Sequence, residues 1–258
     1  MNIVKSIEEM FFANGRYWGS LNASLYRRGL IWAMHTGIKS ADLNMVWNEV
    51  PLTAADKSDI QDVKSFFRKA GLPFWWWVFP GAQPQLTGAV LQEEGFSFLF
   101  DIPCMIADVT APTGCRSAGL QVLPVSNTEE LSKWEDVSFT GFDFPAETRR
   151  QYQQFVGAFN IDAGSPQKFF LGLWDGKPVA TSLLFLQGNA GGIYFVSTLR
   201  SYRKKGIGLA LTVATMQYAR QAGARFVSLQ SSPDGLRVYQ QAGFKEYCRV
   251  HVYSLTAF

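Results

Sequence analysis

The run "RKKGIG", Arg203 to Gly208, places three cations and two glycines between a β-branched, aromatic segment, "YFVST" (Tyr194–Thr198), and an apolar stretch at helical spacing. Cations at a helix start oppose the macrodipole, so they need either full solvation or an anion between them and the helix. The first amides of a helix have no intrahelical acceptor and carry the positive end of the dipole. Gly206 and Gly208 lack a Cβ and let an anion approach that backbone. Arg203, Lys204 and Lys205 can neutralise charge that the amides only partly offset. A pyrophosphate suits such a site. A solvated basic turn is the competing reading of the same six residues.

Context narrows the choice. A P-loop needs G-x-x-x-x-G-K-[ST], which is absent, and a dinucleotide fingerprint needs a third glycine where Leu211 stands. About thirty residues after the basic run comes "LQSSPDGLRVYQQAGF", in which Tyr239 lies four residues before Gly243.

The elements that must hold these residues can be read from pattern. "LQVLPV" is a strand, and "NTEELSKWEDVSF" a helix capped by Asn127 or Thr128. "PAETRRQYQQFVGAF" is a second helix with Pro145 in its first turn. "KFFLGLW" and "VATSLLFLQ" flank an Asp-Gly hairpin turn, followed by "IYFVST". The helix "GIGLALTVATMQYARQA" sets Ile207, Leu211, Ala214 and Tyr218 on one face and closes at Gly223. "RFVSLQS", a helix with Ser232 as cap and Pro233 at its first position, and "GFKEYCRVHVYSL" complete a mixed α/β sheet. A weaker copy precedes it. "AVLQEEGFSFLFDIPC" aligns Gly95-Phe96 with Gly243-Phe244, about 148 residues on, and "WWWVFPGAQP" stands where "VSLQSSPD" stands later.

With those motifs in order, "VSTLRSYRKKGIGLAL" and "LQSSPDGLRVYQQAGF" resemble the two cofactor motifs of the GNAT (Gcn5-related N-acetyltransferase) superfamily, over about Leu120 to Phe258. The resemblance implies an α/β GNAT fold, a mixed central sheet with flanking helices, duplicated as two GNAT-like halves. It implies a degenerate domain at 1–110, a linker at 111–119 and a catalytic domain at 120–258. It also implies acetyl-CoA as cofactor, with Val196, Ser197 and Thr198 along the pantetheine arm and Arg203, Lys204, Lys205, Gly206, Ile207 and Gly208 around the pyrophosphate. Ser232 and Tyr239 lie beside the cofactor. The Val196 amide is the expected oxyanion donor, and Tyr239 the acid. The first half lacks R-x-x-G-x-G and has Leu91 opposite Tyr239. The strand "IYFVST" at 193–198 has no carboxylate, so a general base is not assigned. That gap keeps a non-catalytic acyl-CoA sensor as the alternative to an acetyltransferase.

Composition bounds the partners. The formal net charge of +3 across 258 residues argues against nucleic acid. No apolar run is long enough for a membrane span, and "MNIVKSIEEMFFANGR" carries two glutamates where a signal peptide is apolar, so a cytoplasmic location is expected. Three scattered cysteines (Cys104, Cys115, Cys248) and two histidines assemble no metal spacing. Cys248 reads as core, which favours direct transfer. Phe139, Phe142 and Phe144 in "SFTGFDFP" border the expected acceptor cleft, where a small-molecule or peptide amine would bind. Trp75, Trp76 and Trp77 read as a strand buried on both faces or packed between the halves. A monomer or homodimer is expected.

Overall fold

The computed structural model describes residues 2–109 and 119–255. Cys115 and all of the expected linker except Gly119 lie outside the described residues. The chain packs as two compact units, one of residues up to Cys104 together with those from Tyr247, the other Met105–Glu246. A division at a linker of 111–119 does not anticipate the return of the C-terminal residues to the first unit.

In the second unit, strands β6 (Leu120–Pro124), β7 (Gln167–Trp174), β8 (Lys177–Gln187) and β9 (Ala190–Thr198) form an antiparallel run. Strand β10 (Phe226–Gln230) joins β9 in parallel. The last residues of β5 (Phe96–Asp108) follow β10, and Val109 donates to the Arg225 carbonyl at 3.0 Å. Strand β8 is central, and seven consecutive residues, Val179–Phe185, are buried, the continuous burial of a strand covered on both faces. Helices α4 (Thr128–Gly141) and α5 (Arg149–Gly157) cover one face, with Trp134 edge-on to Phe169 and Phe195. Helix α6 (Ile207–Gln221) covers the other, where Thr215 and Ser182 share a hydroxyl hydrogen bond of 2.6 Å. The buried set of α6 is wider than the expected stripe. Ile207 and Leu211 are buried, and so are Ala210, Val213, Met216 and Ala219, whereas Ala214 and Tyr218 are only half-buried. A Cβ on Gly191 would press on the side chains of Leu184 and Val227 at 3.0 and 3.1 Å, so glycine permits the close packing there.

In the first unit, β1 (Tyr26–Arg28), β2 (Ile31–Met34) and β3 (Met45–Asn48) are antiparallel neighbours, and β4 (Trp75–Val78) is parallel to β3. Strand β11 (Lys245–Leu255), the last in the chain, pairs with β4 through Tyr253↔Trp76 and His251↔Val78. Trp76 is fully buried on the face of α2 (Lys57–Ala70) and α3 (Pro84–Glu93), and its indole donates to Asn48 at 2.9 Å. Trp77 is buried on the other face against Phe11 of α1 (Ile3–Leu21). The tryptophan run is thus a strand covered on both sides.

The order β3–α2–β4–α3–β5 repeats as β9–α6–β10–α7–β11, with α7 spanning Leu236–Gln241. Gly95 and Gly243 both take positive φ (85° and 95°), and Phe96 and Phe244 are both buried. Two boundaries differ from the sequence reading. Helix α7 begins at Leu236, because Pro233, Asp234 and Gly235 form a turn closed by Gly235 N–H donating to Ser232 Oγ at 3.2 Å. Pro145 precedes a short 3-10 turn at Ala146–Thr148, and α5 starts only at Arg149.

Candidate functional site

The site begins where two parallel strands part. Pairing of β10 with β9 covers Ala190, Gly191 and Gly192, whereas β8 follows β9 to Thr198. Between Tyr194↔Leu183 and Ser197↔Thr181 the register shifts, leaving Phe195 and Val196 opposite Ser182 alone. Phe195 takes φ 50°, left-handed for a bulky residue, so this is a β-bulge held by its surroundings. Thr181 Oγ1 donates to the Phe195 carbonyl at 3.0 Å and shares a 2.8 Å hydrogen bond with Ser197 Oγ.

Beyond the bulge, side chains alternate between faces. Val196 packs on the apolar cluster that contains Ile207, Leu211, Leu229 and Tyr239. A Cβ on Gly208 would lie 3.9 Å from Thr198 Oγ1, which sets Thr198 beside the α6 start. The Ser197 side chain points the other way, to Thr181 and Gly141. Val196, Thr198, Gly208 and Tyr239 therefore gather on one face, and Ser197 can contribute there only through its backbone.

The start of α6 is built as an open amide cradle. Gly206 is its N-cap with φ 76°, and no side chain caps the helix. A Cβ on Gly206 would meet nothing within 4 Å. In the first unit a capping box of Thr53 and Asp56, with the Thr53 N–H donating to Asp56 at 2.8 Å, closes the 3-10 turn Ala54–Asp56 that precedes α2, and α2 itself begins after Asp56 with no side-chain cap. Around α6, Lys204 is exposed with φ 62°, and the Lys205 ammonium lies over the rings of Tyr202 (5.0 Å) and Trp174 (5.6 Å). Arg203 differs from its neighbours: its guanidinium donates to the carbonyls of Thr198 and Gly141, each at 2.9 Å.

Tyr239 is buried edge-on to Phe244, and its ring lies against Gly235. Its hydroxyl makes no hydrogen bond to a described residue, and burial pushes its pKa up to about 12. The phenol is protonated throughout the physiological range and can donate. Ser232 is exposed and capping the turn before α7.

On the opposite face, Phe139, Phe142 and Phe144 form an aromatic turn with Tyr152, and Phe142 packs on Phe195 at 5.7 Å. The structure adds a carboxylate that the sequence reading passed over. Glu135 of α4 is buried, its pKa is raised by burial, and Arg149 lies 3.4 Å away as partial compensation. Its signal was positional: Leu131, Trp134, Glu135 and Ser138 occupy the buried stripe of one helix, so a glutamate stands among core positions. Among the described residues no group of three or more His, Cys, Asp and Glu could hold a metal. No helix among them is long and apolar enough to cross a membrane.

The acetyltransferase (GNAT) family model matches residues 128–244. No match was found among curated protein sequences. A solved GCN5-related N-acetyltransferase from Kribbella flavida is similar with TM-score 0.74 and 19% identity, over 96% of each chain. Another from Sphaerobacter thermophilus gives 0.65 and 15%, over 87% of this chain and 76% of that one. A tandem GNAT protein of the clavulanic acid biosynthesis pathway gives 0.56 and 16%, over 81% and 74%. At these identities the likeness establishes the fold.

Proposed function

We propose that this chain, whose residues 128–244 match the acetyltransferase (GNAT) family model, moves an acetyl group from acetyl-CoA to a primary amine of a small molecule or peptide by direct transfer. The observation that carries the reading is the convergence of three features on one face: the parting of β9 from β10, the uncapped α6 start, and Tyr239. The α6 amides at Gly206, Ile207 and Gly208, with Lys204 and Lys205, suit a pyrophosphate. Bound acetyl-CoA would supply an activated thioester. Backbone groups of Val196, Ser197 and Thr198 on the parted edge of β9 are the candidates to align the pantetheine arm. The bulge at Phe195–Val196 offers an amide as oxyanion donor. Tyr239 holds its proton in an apolar wall and donates as charge develops on sulfur. An amine arriving uncharged needs no carboxylate on β9.

Titration calorimetry with acetyl-CoA, followed by free-thiol release across a panel of primary amines, tests this directly. Saturable binding with amine-dependent thiol release supports transfer, and absent binding removes it. The absence of Asp and Glu from β8 and β9 favours a second reading, a non-catalytic acyl-CoA sensor. Tight binding with no thiol released from any amine selects the sensor. The first unit has buried Leu91 at the position matching Tyr239, which favours a supporting rather than a catalytic role.

A further inference from the structure

Arg200 and Arg203 sit among the cations ahead of α6, yet both are directed at the turn that ends α4. Arg203 donates from Nε to Thr198 O and from Nη2 to Gly141 O, each at 2.9 Å. Arg200 donates from Nε and Nη2 to Asp143 Oδ2 at 3.2 and 3.0 Å. Helix α4 has no basic residue in its own last turn, so Arg203 supplies from another element the cation that its C-terminal carbonyls favour. The approach is close: a Cβ on Gly141 would meet Ser197 Oγ at 2.6 Å. Immediately after Gly141 come Phe142, packed on bulged Phe195, and Asp143, held at φ 56°.

We propose that Arg203, assisted by Arg200, is a positioning residue that clasps the aromatic turn 139–144 to the cofactor loop, so that acyl-CoA binding orders the acceptor side. The proposal rests on the acetyl-CoA reading above. The two arginines differ in weight. Both side chains are exposed, and the Arg200 ion pair with Asp143 contributes little for that reason. Arg203 makes two charge-assisted bonds to carbonyls on two different elements, a geometry that the single ammonium of lysine does not reproduce. A ligand that restrains residues 203–208 therefore restrains the end of α4 through the same guanidinium. By reciprocity, an acceptor seated against Phe142 tightens the cofactor loop.

The test compares wild type, Arg203→Met, Arg203→Lys and Arg200→Gln by amide hydrogen exchange with and without CoA, alongside kinetics with any amine found active. In wild type, CoA slows exchange at 204–209 and also at 139–145. In Arg203→Met, and largely in Arg203→Lys, protection persists at 204–209 but is lost at 139–145. CoA affinity stays within about threefold while the amine KM rises about tenfold, the range of ordinary coupling energies. Arg200→Gln gives a smaller loss and guards against a folding failure of the Arg203 variants. Protection of 139–145 that survives in Arg203→Met overturns the clasp. So does a CoA affinity that collapses while the amine KM holds, because Arg203 is then a phosphate ligand. Wild type that binds CoA without protecting 139–145 overturns the clasp alone, whereas wild type that binds no CoA overturns the acetyl-CoA reading with it.

Discussion

Thr181 of β8 donates its hydroxyl to the carbonyl of Phe195 across the β9 bulge at 3.0 Å, and the same hydroxyl meets Ser197 Oγ at 2.8 Å. One buried side chain therefore satisfies the irregular backbone that parts β9 from regular pairing. Thr181→Val keeps the shape and leaves two buried oxygens without that partner, which costs about 2 kcal/mol. The expected result is a lower unfolding free energy and a turnover reduced about tenfold, with Thr181→Ser recovering most of both. Denaturant unfolding and kcat check it. A Thr181→Val protein with wild-type turnover would detach the bulge from catalysis.

Much of this site was legible because its chemistry is local. Gly206 and Gly208 follow a strand and open a helix, and the Asp175-Gly176 turn and the Gly243-Phe244 boundary each declare themselves within a few residues. What sequence did not show depends on distant pairings. Nothing near Tyr247 announces that β11 joins β4, because a strand's partner is set by tertiary contacts. Arg203 looked like a phosphate ligand because its neighbours are lysines. Its direction is decided by carbonyls five and sixty-two residues away. The bulge is invisible for a similar reason, since Phe195 in "YFVST" has every local reason to be regular strand.

Tyr239→Phe separates chemistry from binding. The phenol pKa, pushed up to about 12 by burial, stands about 3.5 units above that of a thiol, so complete transfer to a free thiolate is uphill by about 5 kcal/mol. The hydroxyl therefore acts by hydrogen bonding to developing charge, with the proton moving late. Turnover should fall about tenfold or more, with acetyl-CoA affinity changed less than twofold. Between pH 6 and 10 the wild-type profile should show no limb that Tyr239→Phe removes. An alkaline limb lost in the variant would mean that the phenol titrates in that range and that its burial is relieved in the working enzyme.

Gly206→Ala and Gly176→Ala form a matched pair. Both glycines take φ near 75°, and neither would press its Cβ on any atom within 4 Å. Alanine strains the backbone alike at each, by roughly 1 kcal/mol. Only Gly206 caps α6, so only its Cβ enters the space assigned to a pyrophosphate. Acetyl-CoA affinity should fall about tenfold in Gly206→Ala and stay unchanged in Gly176→Ala, by calorimetry. Equal affinities in the two variants would place the anion elsewhere.

Glu8 gives a test in the first unit, independent of any ligand. It is buried on α1, and its Oε1 accepts the Gly81 N–H at 2.8 Å. A side chain on Gly81 would close that approach, since a Cβ would lie 2.8 Å from Glu8 Oε2. Burial raises the Glu8 pKa above its ordinary value of 4.5, and the Gly81 hydrogen bond offsets this only in part. A carboxyl that binds its proton more tightly when folded stabilises most below pH 4.5, and that contribution is lost as pH rises through the folded pKa. Glu8→Gln keeps an oxygen for Gly81 and carries no charge to bury. Relative to wild type, its melting temperature should therefore climb as pH goes from 4 to 8. Glu135→Gln should trend the same way, because burial raises its pKa too, but less steeply, since Arg149 favours the charged form. Thermal melts across that range decide it. A Glu8→Gln curve that runs parallel to wild type from pH 4 to 8 would show that Glu8 is charged without penalty, and hence reached by water in the folded unit.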